Sequence, residues 1–330
     1  MLSDKIRIEQ FIETELLKKL SKLDNSRKSG LFSSWIIFAI IPVFLFALYF
    51  IGFKFRNSTN YISIVFTFFG FMCLVSFSMV LLNRKNKSIP FEVSFKEEII
   101  KPFIQFINPD FIYKRLGYVN RTEFLNMGFF TDENYKVNGN DQVIGKYKDV
   151  LFQFCDLTVT KSPVLKSKNQ QDDIVFCGNY FMAKFNKPFI AETYIMPKYS
   201  VKENILGSDF DTSNYIDSWE LGENVKLEDP EFSSMYKVLS HDQIEARYIL
   251  TPTFMEKIKS IQRKTKGKLL ISFRNDIMYI GNNNGFDYFE PDFYKTLKNK
   301  DVLMDYYQEI IDLLTIIDDL NLNIKIWKKN

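Results

Sequence analysis

The chain reads as an α+β fold: two transmembrane helices in a hairpin, followed by a cytoplasmic domain with an antiparallel sheet and packed helices. Three observations carry that expectation. Two apolar runs without a charged residue stand near the N-terminus, LFSSWIIFAIIPVFLFALYFIGF at 31–53 and YISIVFTFFGFMCLVSFSMVLL at 61–82. The remainder, 88–330, gathers helix-like and strand-like stretches into separate runs. Successive strand-like stretches are joined by short connections, which suit antiparallel strands, because parallel ones need a long crossover.

The first segment, 1–30, is expected to form an amphipathic cytoplasmic helix. Ser3 is placed to cap a helix over 3–23, and Ile8, Ile12, Leu16, Leu20 and Leu23 recur at three- and four-residue spacing. Packing of that stripe on the protein's own domain is the favoured reading. A helix resting on anionic lipid through Lys18, Lys19 and Lys22 is the alternative. Self-association is a third, although the stripe is short for a coiled coil.

Each apolar run exceeds the ~20 residues that cross ~30 Å of hydrocarbon. Trp35, Tyr49 and Tyr61 lie near the ends, where amphipathic rings prefer the interface. A cleaved signal peptide fits poorly, because a charged segment precedes the first run and a second run follows at once. Lys5, Arg7, Lys18, Lys19, Lys22, Arg27 and Lys28 precede the runs, and Arg84, Lys85 and Lys87 follow them. The loop between, 54–60, holds only Lys54 and Arg56. The positive-inside rule then puts both termini in the cytoplasm, the loop outside and the protein in the inner membrane, with the lipid bilayer as its first partner.

The domain at 88–330 is expected to open with helices. Ser88 and Pro90 start one carrying Phe91, Phe95 and Ile99, which Pro102 bends or ends. A second runs from Pro109 to Leu116, and Asn120 with Glu123 forms a capping box for a third. Strands follow at 141–149, 150–160, 174–185 and 189–197, the last two joined as a hairpin through Asn186, Lys187 and Pro188. Asp209 and Asp211 read as part of a solvated acidic loop rather than a cation site. Asp229 caps a short helix with Pro230 in its first turn, 235–239 is a strand, and Ser240 with Gln243 forms a second capping box. Thr251 and Pro252 open a helix whose apolar face holds Phe254, Ile258 and Ile261. A hairpin over 269–281 turns at Asn275 and Asp276. The final helix, Val302 to Asp319, has Leu303, Tyr306, Ile310, Leu313 and Ile317 on its core face and Asp305, Glu309 and Asp312 opposite.

Composition narrows the function. A net charge of +3 over 330 residues argues against nucleic acid, which needs a concentrated basic face. A mean hydropathy of −0.13 argues against a polytopic transporter. Abundant Phe, Lys, Asn and Ile hint at an AT-rich bacterial source. Cys73, Cys155 and Cys177 lack metal-ligand spacing and read as buried reduced thiols. His241, the single histidine, reads as a surface residue, and one histidine weakens any zinc site or histidine-based triad. Phosphate loops, nucleophile elbows and metalloprotease motifs are absent. No cofactor and no metal are expected.

The best polar constellation is Glu228, Asp229, Asp242, Glu245 and Arg247. Paired acids share acid–base work when burial separates their pKa values, and an arginine clamps anions. The preferred reading is structural, with Arg247 paired to an acid such as Glu228.

LEDPEF (227–232) and EARYILTP (245–252), with GNDQVIG (139–145), FCGNYF (176–181) and FEP (289–291), resemble the bacterial family known as domain of unknown function 3137. The paired apolar runs ahead of the domain fit the same pattern. The resemblance implies no activity and transfers no catalytic residue. Its genes often lie beside those of LemA-type membrane proteins, which implies an envelope partner. The favoured expectation is a non-catalytic scaffold or interaction module at the envelope. The alternatives are a hydrolase or transferase using the acids and Arg247 around 228–247, and a sensor of membrane state.

Overall fold

The computed structural model describes residues 2–28, 74, 78, 90–130, 134–162, 172–185, 188–198, 221–265, 267–285, 287, 289–291 and 300–326. The chain divides into two units, Met1–Phe103 with Glu290–Met304, and Ile104–Phe289 with Asp305–Asn330.

In the first unit, residues 2–28 are helical: α1 (Leu2–Phe11) runs on through a π turn at Ile12–Leu16. Ile8, Ile12, Leu16, Leu20 and Leu23 are all buried, as their spacing predicts. Helix resumes at Pro90, passes through a second π turn at Lys96–Ile100 and continues as α2 (Lys101–Ile107). Pro102 does not end it. Proline cannot donate to the carbonyl four residues back and its ring crowds that carbonyl, and the wider turn immediately before it relieves both problems. Lys96 is buried and ion-paired to Glu92 at 3.5 Å and to Glu290.

Among the described residues the second unit is built on a nine-stranded sheet, every neighbouring pair antiparallel, in the order β1-β2-β3-β4-β9-β8-β5-β7-β6. β1 (Ile112–Lys114) is a strand where a short helix was expected. It pairs with β2 through Ile112 and Ile144, and Phe111 packs edge-on against Phe152 at 4.9 Å. Helix α3 (Arg121–Leu125) has the predicted capping box, in which Asn120 accepts from the Glu123 backbone and Glu123 from the Asn120 backbone. β2 (Tyr135–Tyr147) and β3 (Val150–Lys161) form a hairpin. Its two loop residues, Lys148 and Asp149, both have positive φ, the backbone that matches the strands' twist.

β4 (Asp173–Lys184) and β5 (Thr193–Pro197) are not a hairpin. After β4 the backbone N–H groups of Phe185 and Phe189 donate to the carbonyls of Asp276 and Asn275, the turn joining β8 (Lys268–Arg274) to β9 (Ile277–Asn283). That later hairpin occupies the place between β4 and β5. β6 (Glu223–Asn224), α4 (Pro230–Met235), β7 (Tyr236–Ser240), α5 (Gln243–Ile249) and α6 (Pro252–Lys264) lie between β5 and β8 in the chain. Asp229 caps α4 and Thr251 caps α6 as expected. The cap of α5 is Asp242, which accepts from Ile244 and Glu245, in place of the expected Ser240.

One sheet face is closed by the segment around α3, in a core with Phe124, Phe129, Phe176, Tyr180 and Leu270. The other carries α6, whose Phe254, Ile258 and Ile261 are buried and whose Phe254 ring meets Phe273 at 6.0 Å. Helix α7 (Lys300–Ile326) closes the described chain and belongs to this unit from Asp305 onward.

The expected fold class is corrected in one respect. Its α+β antiparallel part stands, but among the described residues no helix is long and apolar enough to cross a membrane. Helix α7 has the length, at 27 residues, yet Asp301, Asp305, Glu309, Asp312 and Asp318 interrupt its apolar surface. The transmembrane hairpin therefore drops out of the described architecture. The runs 31–53 and 61–82 on which it was read lie outside the described residues, apart from Leu74 and Ser78. Asp209 and Asp211 also lie outside them.

Candidate functional site: an apolar cavity with a carboxylate wall

Side chains two apart on a strand share a face, so the register lines up rows across β3, β4, β9 and β8. One row is apolar: Phe154, Phe181, Ile280 and Ile271. The next is largely polar: Asp156, Asn179, Asn282 and Leu269. Apart from Asp156, these residues floor an open cavity of about 370 Å³. Helix α6 contributes Ile258, Ile261 and Lys264 to its walls, and α7 contributes Tyr306, Ile310, Leu313 and Ile316. Phe289 closes one side, its ring 6.1 Å from Phe154 and 4.9 Å from Tyr306. It is held at φ 54, a region that bulky residues seldom adopt.

Two of the motifs that carry the family resemblance build this floor. Gly178, at φ 146, sits where a Cβ would lie 2.1 Å from the Asn282 carbonyl oxygen, so only glycine lets β4 approach β9 there. Asn179 follows it and donates an amide N–H to the buried Asp156 carboxylate. Phe289 comes from the FEP motif.

The polar part of the wall is acidic. Asp305, Glu309 and Asp312, at i, i+4 and i+7 on α7, all line the cavity with Gln308. Asp312 is neutralised by Lys264 at 2.7 Å and Lys257 at 3.6 Å and accepts from Gln308 at 3.1 Å. No cation among the described residues pairs with Glu309. Removal from water, with the charges of Asp305 and Asp312 adding to it, pushes its carboxyl up from 4.5 to about 8. Near neutral pH it therefore exists in both protonation states and can either donate or accept. On the floor, Asn282 is only 5 % exposed. Its side-chain oxygen has no hydrogen-bond partner among the described residues. A buried carbonyl oxygen left unpaired is costly, and this one belongs to a cavity-lining residue.

A smaller, polar hollow of about 220 Å³ lies on β2–β4, lined by Asn138, Asn140, Asp156, Thr158, Cys177 and Asp287 among others. Asn140 donates to Asp287 at 3.2 Å, and burial raises the Cys177 thiol.

The five residues singled out from sequence stand elsewhere, and none lines the cavity. Asp229 caps α4 and binds the Nζ of buried Lys259 at 2.8 Å, beside Glu231 at 3.0 Å and Glu256 at 2.5 Å. Glu228 is exposed. Asp242 caps α5. Glu245 is buried and accepts from the backbone N–H groups of Ile190 and Ala191 at 2.7 and 2.6 Å, pinning the segment before β5. Arg247 is exposed and reaches the Lys226 carbonyl at 3.4 Å and the Gln243 side chain at 3.5 Å, rather than the acid expected for it. Sequence reasoning missed Asn179, Asn282 and Glu309. The acids of α7 were visible at helical spacing, but nothing local distinguishes a carboxylate facing water from one facing a cavity.

No curated protein and no solved structure matches the chain. The model of the family described as Protein of unknown function (DUF3137) matches residues 174–322. That stretch holds β4, β8, β9 and α6, Phe289, and the cavity wall of α7. Over residues 174–322, a little under half of its length, the chain is similar to the family of unknown function DUF3137.

Proposed function

We propose that the protein is a binding module that houses a small apolar molecule in the cavity between the sheet and helices α6 and α7. One observation carries this reading: an open space of about 370 Å³ walled by Phe154, Phe181, Ile271, Ile280 and Ile310. Packed interiors keep few voids larger than a water molecule, whereas small-ligand sites run from ~300 to ~1,000 Å³ with mostly apolar walls. Apart from Phe289 and Thr265 the walls belong to strands and helices, which suits a preformed site. The polar lining is mostly amides and carboxylates, with Lys264 and Thr265 beside them, and the single histidine, His241, is exposed and outside it. This is a specific form of the interaction-module expectation, with a small ligand in place of a protein partner.

The test is titration of the full-length chain with N-phenyl-1-naphthylamine, a neutral dye that brightens in apolar surroundings. Saturable binding at one dye per chain is expected. Leu313→Trp, which fills the cavity from its partly exposed α7 wall, should abolish it while leaving the far-ultraviolet circular dichroism unchanged. Equal dye binding by Leu313→Trp overturns the reading.

A further inference from the structure

We propose that the cavity takes a single-chain cationic amphiphile, a primary alkylamine, whose ammonium lies against the α7 carboxylates and gives one N–H to the Asn282 oxygen while its hydrocarbon lies on the Phe154, Phe181 and Ile280 floor. This rests on the binding reading above and adds the chemistry of the ligand.

The polar groups of the cavity call for donors and for positive charge. Asp305, Glu309 and Asp312 face it along one helix, and the one cation lining it among the described residues, Lys264, is already held by Asp312 at 2.7 Å. Asp305 and Glu309 therefore remain as uncompensated acceptors. Independently, the side-chain oxygen of Asn282 is buried without a partner among the described residues. Asn179, beside it in the same row, already gives an N–H to Asp156. An ammonium has three N–H donors and no acceptor, and hydrogen bonds from a charged donor are the strong ones. A carboxylate-headed ligand would meet like charge on α7. A neutral alcohol would supply a single donor and no charge.

Size restricts the rest of the molecule. At ~30 Å³ per water-sized group, a cavity of about 370 Å³ takes in roughly a dozen non-hydrogen atoms, and because it is open the remainder of a larger probe can lie at its mouth. That suits one chain of about ten carbons with its amine.

The experiment displaces N-phenyl-1-naphthylamine from the full-length chain with four ligands of equal chain length: decylamine, decyltrimethylammonium, 1-decanol and decanoate. All are used below the concentration at which they form micelles. Decylamine should displace the dye at a concentration at least about tenfold below 1-decanol, and decanoate should be the weakest. Decyltrimethylammonium, charged but without an N–H, should fall between decylamine and 1-decanol. In Asn282→Leu the advantage of decylamine over decyltrimethylammonium should disappear, with 1-decanol displacing as before. Glu309→Gln, which keeps the shape of the acid, should reduce the advantage of both cations over 1-decanol. 1-Decanol or decanoate matching decylamine overturns the proposal and leaves the binding reading standing. Decyltrimethylammonium matching decylamine overturns the role of Asn282. Failure of all four ligands to displace the dye, together with dye binding in Leu313→Trp, overturns the binding reading and this proposal with it.

Discussion

Glu309→Gln removes a cavity carboxyl whose pKa burial pushes up to about 8, and its effect on stability should depend on pH. In the unfolded chain a glutamic acid loses its proton near 4.5; in the fold burial keeps the proton on until about 8. Between those values the folded state binds more protons than the unfolded one, so stability falls as pH rises through that window and levels off above it. At 1.36 kcal/mol per pH unit the gap is on the order of 5 kcal/mol for a carboxyl sealed from water. Glu309 stands in the wall of an open cavity, and screening reduces this to about 2–3 kcal/mol. Glutamine has the shape of the protonated acid and does not titrate. Urea unfolding of both full-length proteins at pH 5 and pH 8.5 is the assay. The stability difference, variant minus native, should be larger at pH 8.5 by about 2–3 kcal/mol. Asp305 and Asp312 on the same helix and Lys264 on α6 also line the cavity, and the double difference cancels what they contribute equally to both proteins. The same difference at both pH values would refute the burial of Glu309 in this wall.

Three further outcomes follow from residues away from the cavity. Glu245→Ala strands the backbone N–H groups of Ile190 and Ala191 and should lower unfolding free energy by about 2–4 kcal/mol, with Glu245→Gln recovering part because one of its two polar atoms still accepts. Lys259→Met should lower the melting temperature at pH 7. Asp229 is held below its ordinary value by Lys259, and Glu231 by Arg263 and Lys259, so their contribution is present above pH 3.8 and 4.5 and fades as pH falls. The gap between native and Lys259→Met melting temperatures should therefore narrow towards pH 3, and a constant gap would contradict the clamp. Arg247→Ala should change stability by no more than about 0.5 kcal/mol, as at other exposed sites; a loss beyond about 2 kcal/mol would show an ion pair that its long contacts do not provide.

The sequence by itself determined what neighbours along the chain decide. Asn120 with Glu123, Asp229 with Phe232, and Thr251 with Phe254 are caps closed within three residues, and each stands where the sequence puts it. The turn at Asn275 and Asp276 is equally local, and the buried stripe from Ile8 to Leu23 follows from helical spacing alone. The chemistry of LEDPEF was legible as a cap, but its second role, holding Lys259 thirty residues on, was not. Tertiary structure alone decided that the β8–β9 hairpin enters between β4 and β5, because a strand's partner is set by which distant edge satisfies its backbone donors and acceptors. It also decided the cavity. Asn179 meets Asn282 only through the β4–β9 register, and Glu309 faces them only because α7 turns that side inward. A carboxylate at helical spacing has the same sequence whether water or a cavity lies before it, and only the packing of the other elements tells the two apart.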